Sequence, residues 1–487
     1  MKKEAAAGVD IINLPLLGLK NDPFGAIPSI PVGPPYLAAY LREKGFDTHI
    51  IDAFGLDTKK TRILKDKYVA YGLYPDEIVD RIGKNTKFVL ISTHSGASYT
   101  LTKEIISEIK KRNLKVWIIV GGNFATTLPN EFISMGADFV VLGEGELASE
   151  SLLKALSKKV DYKKIEKIDG LVYKDRNQPK TRFIQDLDSL PFPAIDLLPM
   201  ENYWALGYSH GPFEGNYTFL ITSRGCPFNC RFCATPYIWQ RKWRARSVKN
   251  AVDEIEYMHK RFGIVDFHIQ DDNFTVNKDR VKEFCYELMK RKLPVTWQVL
   301  STKAETVDEE LLILMKKAGC DYLSVSPETG SKAVLEKMNK PFDYEHMVDI
   351  VKLSNKLGIK MQACFVLGFP GETDKDRKLT EKYIARLARA GLDETGLFIM
   401  TPLPGAYSYD HFKWDFTDYE ELCFSPRWRK DYNMLNRWRM KLFFILLFNK
   451  LLFHPLKMVE HLVNLMSGKF KTKIEMGIYR TIKTWQK

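Results

Sequence analysis

Cys226, Cys230 and Cys233 stand within eight residues of one another, spaced C-x3-C-x2-C. Thiolates at such short spacing bind soft metals and iron–sulfur clusters. The run Tyr217–Thr222 (YTFLIT) ahead of them reads as a buried strand, and Gly225 and Pro227 favour a turn at its end. The three thiols therefore fall on one loop, where they can converge. A [4Fe–4S] cluster takes four ligands. A trio with no obvious fourth cysteine points to a cluster with one iron open to a non-protein ligand. Zinc is the competing reading. Its structural sites close with four N/S ligands, usually as two separated pairs, and Phe232 and the strand–helix alternation downstream argue against it. Cys285, Cys320, Cys364 and Cys423 are scattered, mostly among apolar neighbours, and read as inert core residues. Seven cysteines without a paired framework fit a reducing cytosol.

The elements that must position this loop alternate. From Tyr217 to Pro404, strands at Tyr217–Thr222, Val265–Gln270, Val295–Leu300, Tyr322–Ser326, Met361–Leu367 and Thr395–Met400 are separated by amphipathic helices such as Val248–Arg261 and Lys278–Lys290. Six parallel β/α units imply a partial TIM-like barrel with its active site at the carboxyl ends of the strands. Distinctive motifs fall there: Asp271-Asp272-Asn273-Phe274, Ser326-Pro327-Glu328-Thr329-Gly330 and Leu367-Gly368-Phe369-Pro370-Gly371-Glu372. Residues of about 9–157 alternate similarly, with strands at Val9–Leu14, Thr48–Asp52, Phe88–Ser92, Val116–Val120 and Phe139–Leu142. That pattern predicts a doubly wound parallel sheet covered on both faces. Ligands of such sheets sit beyond the strand carboxyl ends. Small and hydroxylated residues gather there in Ser92-Thr93-His94-Ser95-Gly96, Gly121-Gly122-Asn123 and Gly143-Glu144-Gly145-Glu146, although tight turns alone give the same composition.

C-x3-C-x-aromatic-C after a first strand resembles the radical S-adenosylmethionine (SAM) superfamily. The resemblance implies that Cys226, Cys230 and Cys233 ligate a [4Fe–4S] cluster whose open iron takes the amine and carboxylate of SAM. Reductive cleavage then gives methionine and a 5′-deoxyadenosyl radical. It also implies that Asp272 holds the SAM amine, Glu328 the ribose and the Gly368 loop the adenine, while Arg246 is a candidate partner for the SAM carboxylate or a solvated arginine. With such a barrel behind it, the N-terminal segment resembles the cobalamin-binding domain of the B12-dependent subgroup, whose pattern runs D-x-H-x-x-G, S-x-L, G-G. Asp52, Ser92, Gly121 and Gly122 match; Phe54 stands where the axial histidine would be, Asp57 replaces the glycine and His94 the leucine. The resemblance thus implies cobalamin contacts at Ser92, Gly121 and Gly122 without histidine below the cobalt.

A chain of 487 residues with 45% apolar and 27% charged residues suits two or three folded domains. The expected division is a cobalamin-binding Rossmann-like domain over 1–157, a connector over 158–215, a radical SAM core over 216–405 and a helical C-terminal region over 406–487. Short strands are expected at Asp169–Tyr173 and Thr181–Ile184. The start, MKKEAAAGVD, shows no secretion signal. The formal charge of +13 concentrates in the tail: from Arg427 to Lys487 stand 14 Lys/Arg against three acids, a net +11. There Lys441-Leu-Phe-Phe-Ile-Leu-Leu-Phe448 and Leu451-Leu-Phe453 are too short to span a bilayer. They read equally as a helical cap on the barrel or as a peripheral, interfacial membrane helix. No nucleic-acid module accompanies the charge, so no nucleic acid is expected. The expectation is a cytoplasmic enzyme that C-methylates an unactivated carbon of a hydrophobic, lipid- or isoprenoid-like substrate, served by a flavodoxin- or ferredoxin-type electron donor. Its rivals are a non-methylating radical cyclisation and a cobalamin- or cluster-binding sensor without turnover.

Overall fold

The computed structural model describes residues 7–157 and 160–485. The lysine-led start of the chain, read above for a secretion signal, lies largely outside them. The chain forms two compact units, Met1–Leu206 with Phe416–Cys423, and Gly207–Asp415 with Phe424–Lys487.

The first unit is built on a seven-stranded sheet: β1 (Gly8–Asn13), β2 (Asp47–Asp52), β3 (Thr86–Ser92), β4 (Trp117–Gly121), β5 (Phe139–Val141), β6 (Leu171–Tyr173) and β7 (Arg176–Asn177). Their order is β7-β6-β5-β4-β3-β1-β2. The strands β1 to β5 are parallel, as expected, and both faces are covered. Val9 and Ile11 of β1 pack with Ala38, Leu41 and Leu152, whereas Ile12 packs with Leu101 and Ile105 on the other face. That alternation follows from the two-residue repeat of a strand. The segment read as a connector supplies β6 and β7, which pair antiparallel at the edge of this sheet. Thr181–Ile184 forms no strand; Ile184 N–H donates to the Glu144 carboxylate (2.8 Å). A small antiparallel sheet of Leu16–Leu19, Thr61–Leu64 and Tyr68–Tyr71 is an addition the sequence reading lacked.

The second unit carries six parallel strands in sequential order: β8 (Tyr217–Leu220), β9 (Asp266–Ile269), β10 (Thr296–Thr302), β11 (Cys320–Glu328), β12 (Lys360–Leu367) and β13 (Glu394–Ile399). Helices between them cover the outside, where Trp297 is fully buried edge-on to Phe274 and Phe284. The tail is helical over Tyr432–Phe453, Pro455–Ser467 and Lys473–Trp485. Tyr432–Phe453 is one helix through Asn449-Lys450, and it breaks at His454-Pro455. It packs on the helix Asp374–Ala390 and on β13.

Candidate functional site

After β8 the chain runs through the two-residue ladder of Ser223–Arg224 with Arg244–Ala245 into the cysteine loop. Asp271, just beyond β9, shapes that turn. Its buried carboxylate accepts from the Thr222 N–H (2.7 Å), the Thr222 hydroxyl (2.6 Å) and the Ser223 hydroxyl (2.6 Å). Gly225 takes φ +87°, and a Cβ there would lie 2.1 Å from the Lys242 carbonyl oxygen, so only glycine fits. Farther along, Arg231 N–H donates to the Met338 carbonyl (2.9 Å), Asn339 Nδ2 to the Asn229 carbonyl (2.8 Å) and Ser408 N–H to the Arg231 carbonyl (2.8 Å). The loop is held from several sides, and its three cysteines are half-buried residues.

Burial pushes all three thiols up, Cys233 to about 11. Lys340 and Lys303 oppose this at Cys230, and Lys303 also at Cys226. The Lys303 ammonium sits 3.8 Å above the Phe228 ring. Among the described residues, no three His, Cys, Asp or Glu side chains converge where a single ion would sit. A cluster does not require that, because its thiolates bind separate irons. Three half-buried cysteines on one fixed loop, with two ammonium groups near, fit a [4Fe–4S] cluster.

The other expected residues divide. Asp272 follows Asp271 and accepts from Gly225 N–H (3.0 Å); burial raises its carboxyl to about 6. It therefore borders the cysteine loop. Glu328 ends β11, buried and at φ +65°, a left-handed conformation that costs a non-glycine residue about 1–3 kcal/mol. Its carboxylate accepts from Lys340 Nζ (2.5 Å), which also donates to the Ser326 carbonyl (2.5 Å). Burial pulls the Lys340 pKa down, and the Glu328 carboxylate more than reverses this, so the ammonium stays charged. Gly368 follows β12; its N–H donates to Glu372 (2.9 Å) and its carbonyl accepts from Arg429 Nη2 (2.9 Å). Arg246 is not brought to this group. Its buried guanidinium donates to Ile221 O (2.9 Å), Asn250 Oδ1 (2.6 Å) and Glu254 (2.5 Å), binding the helix Val248–Phe262 to the end of β8. Lys303, Lys340 and Arg429 are the cations that sequence reasoning missed, since no local pattern links them to their partners.

At the carboxyl end of the first unit's sheet, Asp52, Asn13, Ser92 and Gly121 stand in register on adjoining strands. Asp52 is buried, and its carboxylate accepts from Asn13 Nδ2 (2.8 Å), Gly55 N–H (3.1 Å) and the Tyr203 hydroxyl (2.7 Å). Phe54 is buried against Tyr203, with ring centroids 5.8 Å apart, and offers no ligand atom. Gly122, at φ +102°, lets the Thr93 carbonyl approach to 2.2 Å of where a Cβ would be. At Gly121 the nearest atom is 3.6 Å from that position, and His94 and Ser95 are exposed. This glycine- and backbone-rich edge, with no imidazole at position 54, fits a bulky ligand lacking a lower histidine. Gly96 serves a different purpose: a Cβ there would lie 1.9 Å from the carbonyl oxygen of Tyr419, in the returning segment Phe416–Cys423.

Residues 220–384 match the radical SAM superfamily and residues 28–153 the B12 binding domain. An uncharacterised methyltransferase of Pyrococcus horikoshii is 31% identical over 82% of this chain and 81% of its own. Cytidylyl-2-hydroxyethylphosphonate methyltransferase of Streptomyces wedmorensis is 27% identical, covering 77% and 76%. The anaerobic magnesium-protoporphyrin IX monomethyl ester cyclase of Rubrivivax gelatinosus is also 27% identical, covering 71% and 60%. The radical SAM methyltransferase TsrM of Kitasatospora setae, solved with cobalamin and a [4Fe–4S] cluster, shares the fold at 19% identity and a TM-score of 0.65, covering 83% and 74%.

Proposed function

The chain belongs to the radical SAM superfamily and carries its B12-binding domain, and on that premise we propose that it C-methylates an unactivated carbon. The observation that supports this is the row of motifs at successive strand ends of one barrel, in a chain that also carries a cobalamin-type sheet. Cys226, Cys230 and Cys233 would hold the cluster, Glu328 the SAM ribose, Asp272 its amine and Gly368 its adenine side. Ser92, Gly121 and Gly122 would approach cobalamin. When bound, these cofactors supply a hydrogen-abstracting radical and a carried methyl group. The chain's own part is to position and charge the site: Lys303 offsets part of the burial that raises the Cys226 and Cys230 thiols, Lys340 does so at Cys230, and Asp271 fixes the loop that bears them. The substrate reading is a hydrophobic, lipid- or isoprenoid-like molecule, motivated by the apolar tail, with a flavodoxin- or ferredoxin-type donor.

The cyclase relative supports radical cyclisation as the second reading. Anaerobically reconstituted protein, given SAM labelled with deuterium in the methyl group, a low-potential reductant and a cell lipid fraction, separates the two. Transfer of the labelled methyl to a lipid product is expected, and the Cys230→Ala protein should form no 5′-deoxyadenosine. Substrate-dependent 5′-deoxyadenosine with no label in the product would replace methylation by cyclisation or another radical outcome.

A further inference from the structure

The long tail helix is apolar on two faces. Leu435, Trp438, Leu442 and Leu446 are buried on the barrel side. Met440, Phe444, Leu447, Phe448, Leu451 and Leu452 recur every three or four residues along the other side and are exposed, Phe444 by 66%. That spacing is one continuous stripe. After the bend at His454-Pro455, the helix Pro455–Ser467 exposes a second stripe of Leu456, Val459, Val463 and Met466, with Leu456 82% and Met466 88% exposed. Scattered exposed leucines are ordinary on a protein surface; two joined stripes of this density mark an interaction site.

Charge indicates what the stripes meet. From Tyr432 to Ser467 the one acid is Glu460, which pairs with Lys360 at 2.7 Å. Exposed Arg437 extends the first stripe at its outer end, beside Lys441, whose ammonium pairs with Glu381 at 2.7 Å, and exposed Lys469 follows the second. The apolar surface is thus cationic at both ends and has no free carboxylate of its own. The helix pair bends by 114°, and among the described residues no single helix is long and apolar enough to cross a membrane. We infer that the exposed face of these two helices docks on an anionic lipid surface, lying in the interface without spanning it. The inference is independent of the reaction proposed above.

Arg439 and Lys450 do not take part, although they count in the tail's charge. Both are buried: Arg439 donates to Phe424 O (3.2 Å) and Asn436 Oδ1 (2.6 Å), Lys450 to Asp393 O (2.6 Å). The test is co-sedimentation of the full-length protein with vesicles of equal phosphatidylcholine and phosphatidylglycerol, against phosphatidylcholine alone, at low and high salt. Wild type should sediment with the anionic vesicles, and less so as salt rises. Leu456→Asp with Met466→Asp should weaken partition by about tenfold or more. Arg437→Glu with Lys469→Glu should weaken it by about fivefold per cation removed, at low salt only. All four positions are exposed; should an Asp variant melt early, Ser at the same two positions keeps the test. Wild type that ignores anionic vesicles at low salt overturns the inference. So does undiminished binding by the Asp variant, or a lipid-free dimer that the Asp variant splits, which would make the face a subunit contact.

Discussion

Glu328 carries two burdens that can be pulled apart. Its backbone is held left-handed and its carboxylate is held by a buried lysine, so both ends are fixed before any ligand arrives. Breaking a buried ion pair by removing one charge costs about 3–5 kcal/mol, because the other is left uncompensated. Glu328→Gln should therefore lower stability and also weaken SAM binding, by about ten- to a hundredfold if the carboxylate accepts from the ribose. Adding Lys340→Met should restore much of the stability and none of the affinity. Chemical denaturation and titration calorimetry on the single and double variants read the two effects separately. An unchanged dissociation constant in Glu328→Gln would place the ribose elsewhere. The motif around Glu328 was legible from its position after a strand. Its partner was not: Lys340 lies 12 residues on, and only the fold brings its ammonium back.

At the scale of elements, the loop after β12 shows how a short motif is held by distant chain. Gly368 is gripped by Glu372 within the loop and by Arg429 from the region before the tail helix, which also donates to the Met400 carbonyl (2.6 Å). Burial raises Glu372 to about 7, against the Gly368 N–H bond and the nearby Arg377 and Arg429. Its folded pKa lies above its ordinary value of 4.5, so between these pH values the native state keeps a proton that the unfolded chain has released. The stability contributed by this group is therefore full below pH 4.5 and lost as pH rises to about 7. Glu372→Gln, fixed neutral and still able to accept from Gly368, should match wild type at low pH and exceed it by at most about 3 kcal/mol above pH 7. Denaturant midpoints for both proteins across that range check it; parallel curves would mean the carboxylate titrates normally. Periodicity and turn residues revealed these strands and loops because apolar runs and glycines act locally. Arg246 misled for the opposite reason: a basic residue in a polar stretch reads as available, and only packing shows its donors already engaged by Asn250, Glu254 and Ile221.

For the whole molecule, the segment Phe416–Cys423 matters most. It follows the barrel in sequence yet belongs to the first unit. Tyr419 packs between Tyr99 and Phe124, at centroid distances of 4.8 and 5.5 Å, and the buried Glu420 accepts from Thr100 N–H (2.8 Å) and Lys65 Nζ (3.3 Å). Glu420 thus supplies an acceptor in the first turn of the helix Ser98–Lys111, where backbone N–H groups have no helical partner. Nothing in the sequence announces this, because residues 406–487 read as one basic, partly apolar tail and long-range return of a short stretch leaves no periodic signal. The first unit is consequently incomplete until the chain beyond the barrel is present. A fragment of residues 1–206 should therefore be less stable than the same fragment supplied with a peptide of residues 414–425. The charged hydrogen bond of Glu420 is worth about 1.5–3 kcal/mol, and the burial of Tyr419 adds an apolar contribution. Thermal melts of the fragment with increasing peptide should shift upward and saturate, and a peptide carrying Tyr419→Ala and Glu420→Gln should shift them far less. In the full chain, the same two changes should speed hydrogen exchange at the start of the helix Ser98–Lys111. Melts that ignore the peptide, together with unaltered exchange in the full-length variant, would show that the first unit is complete without the returning segment.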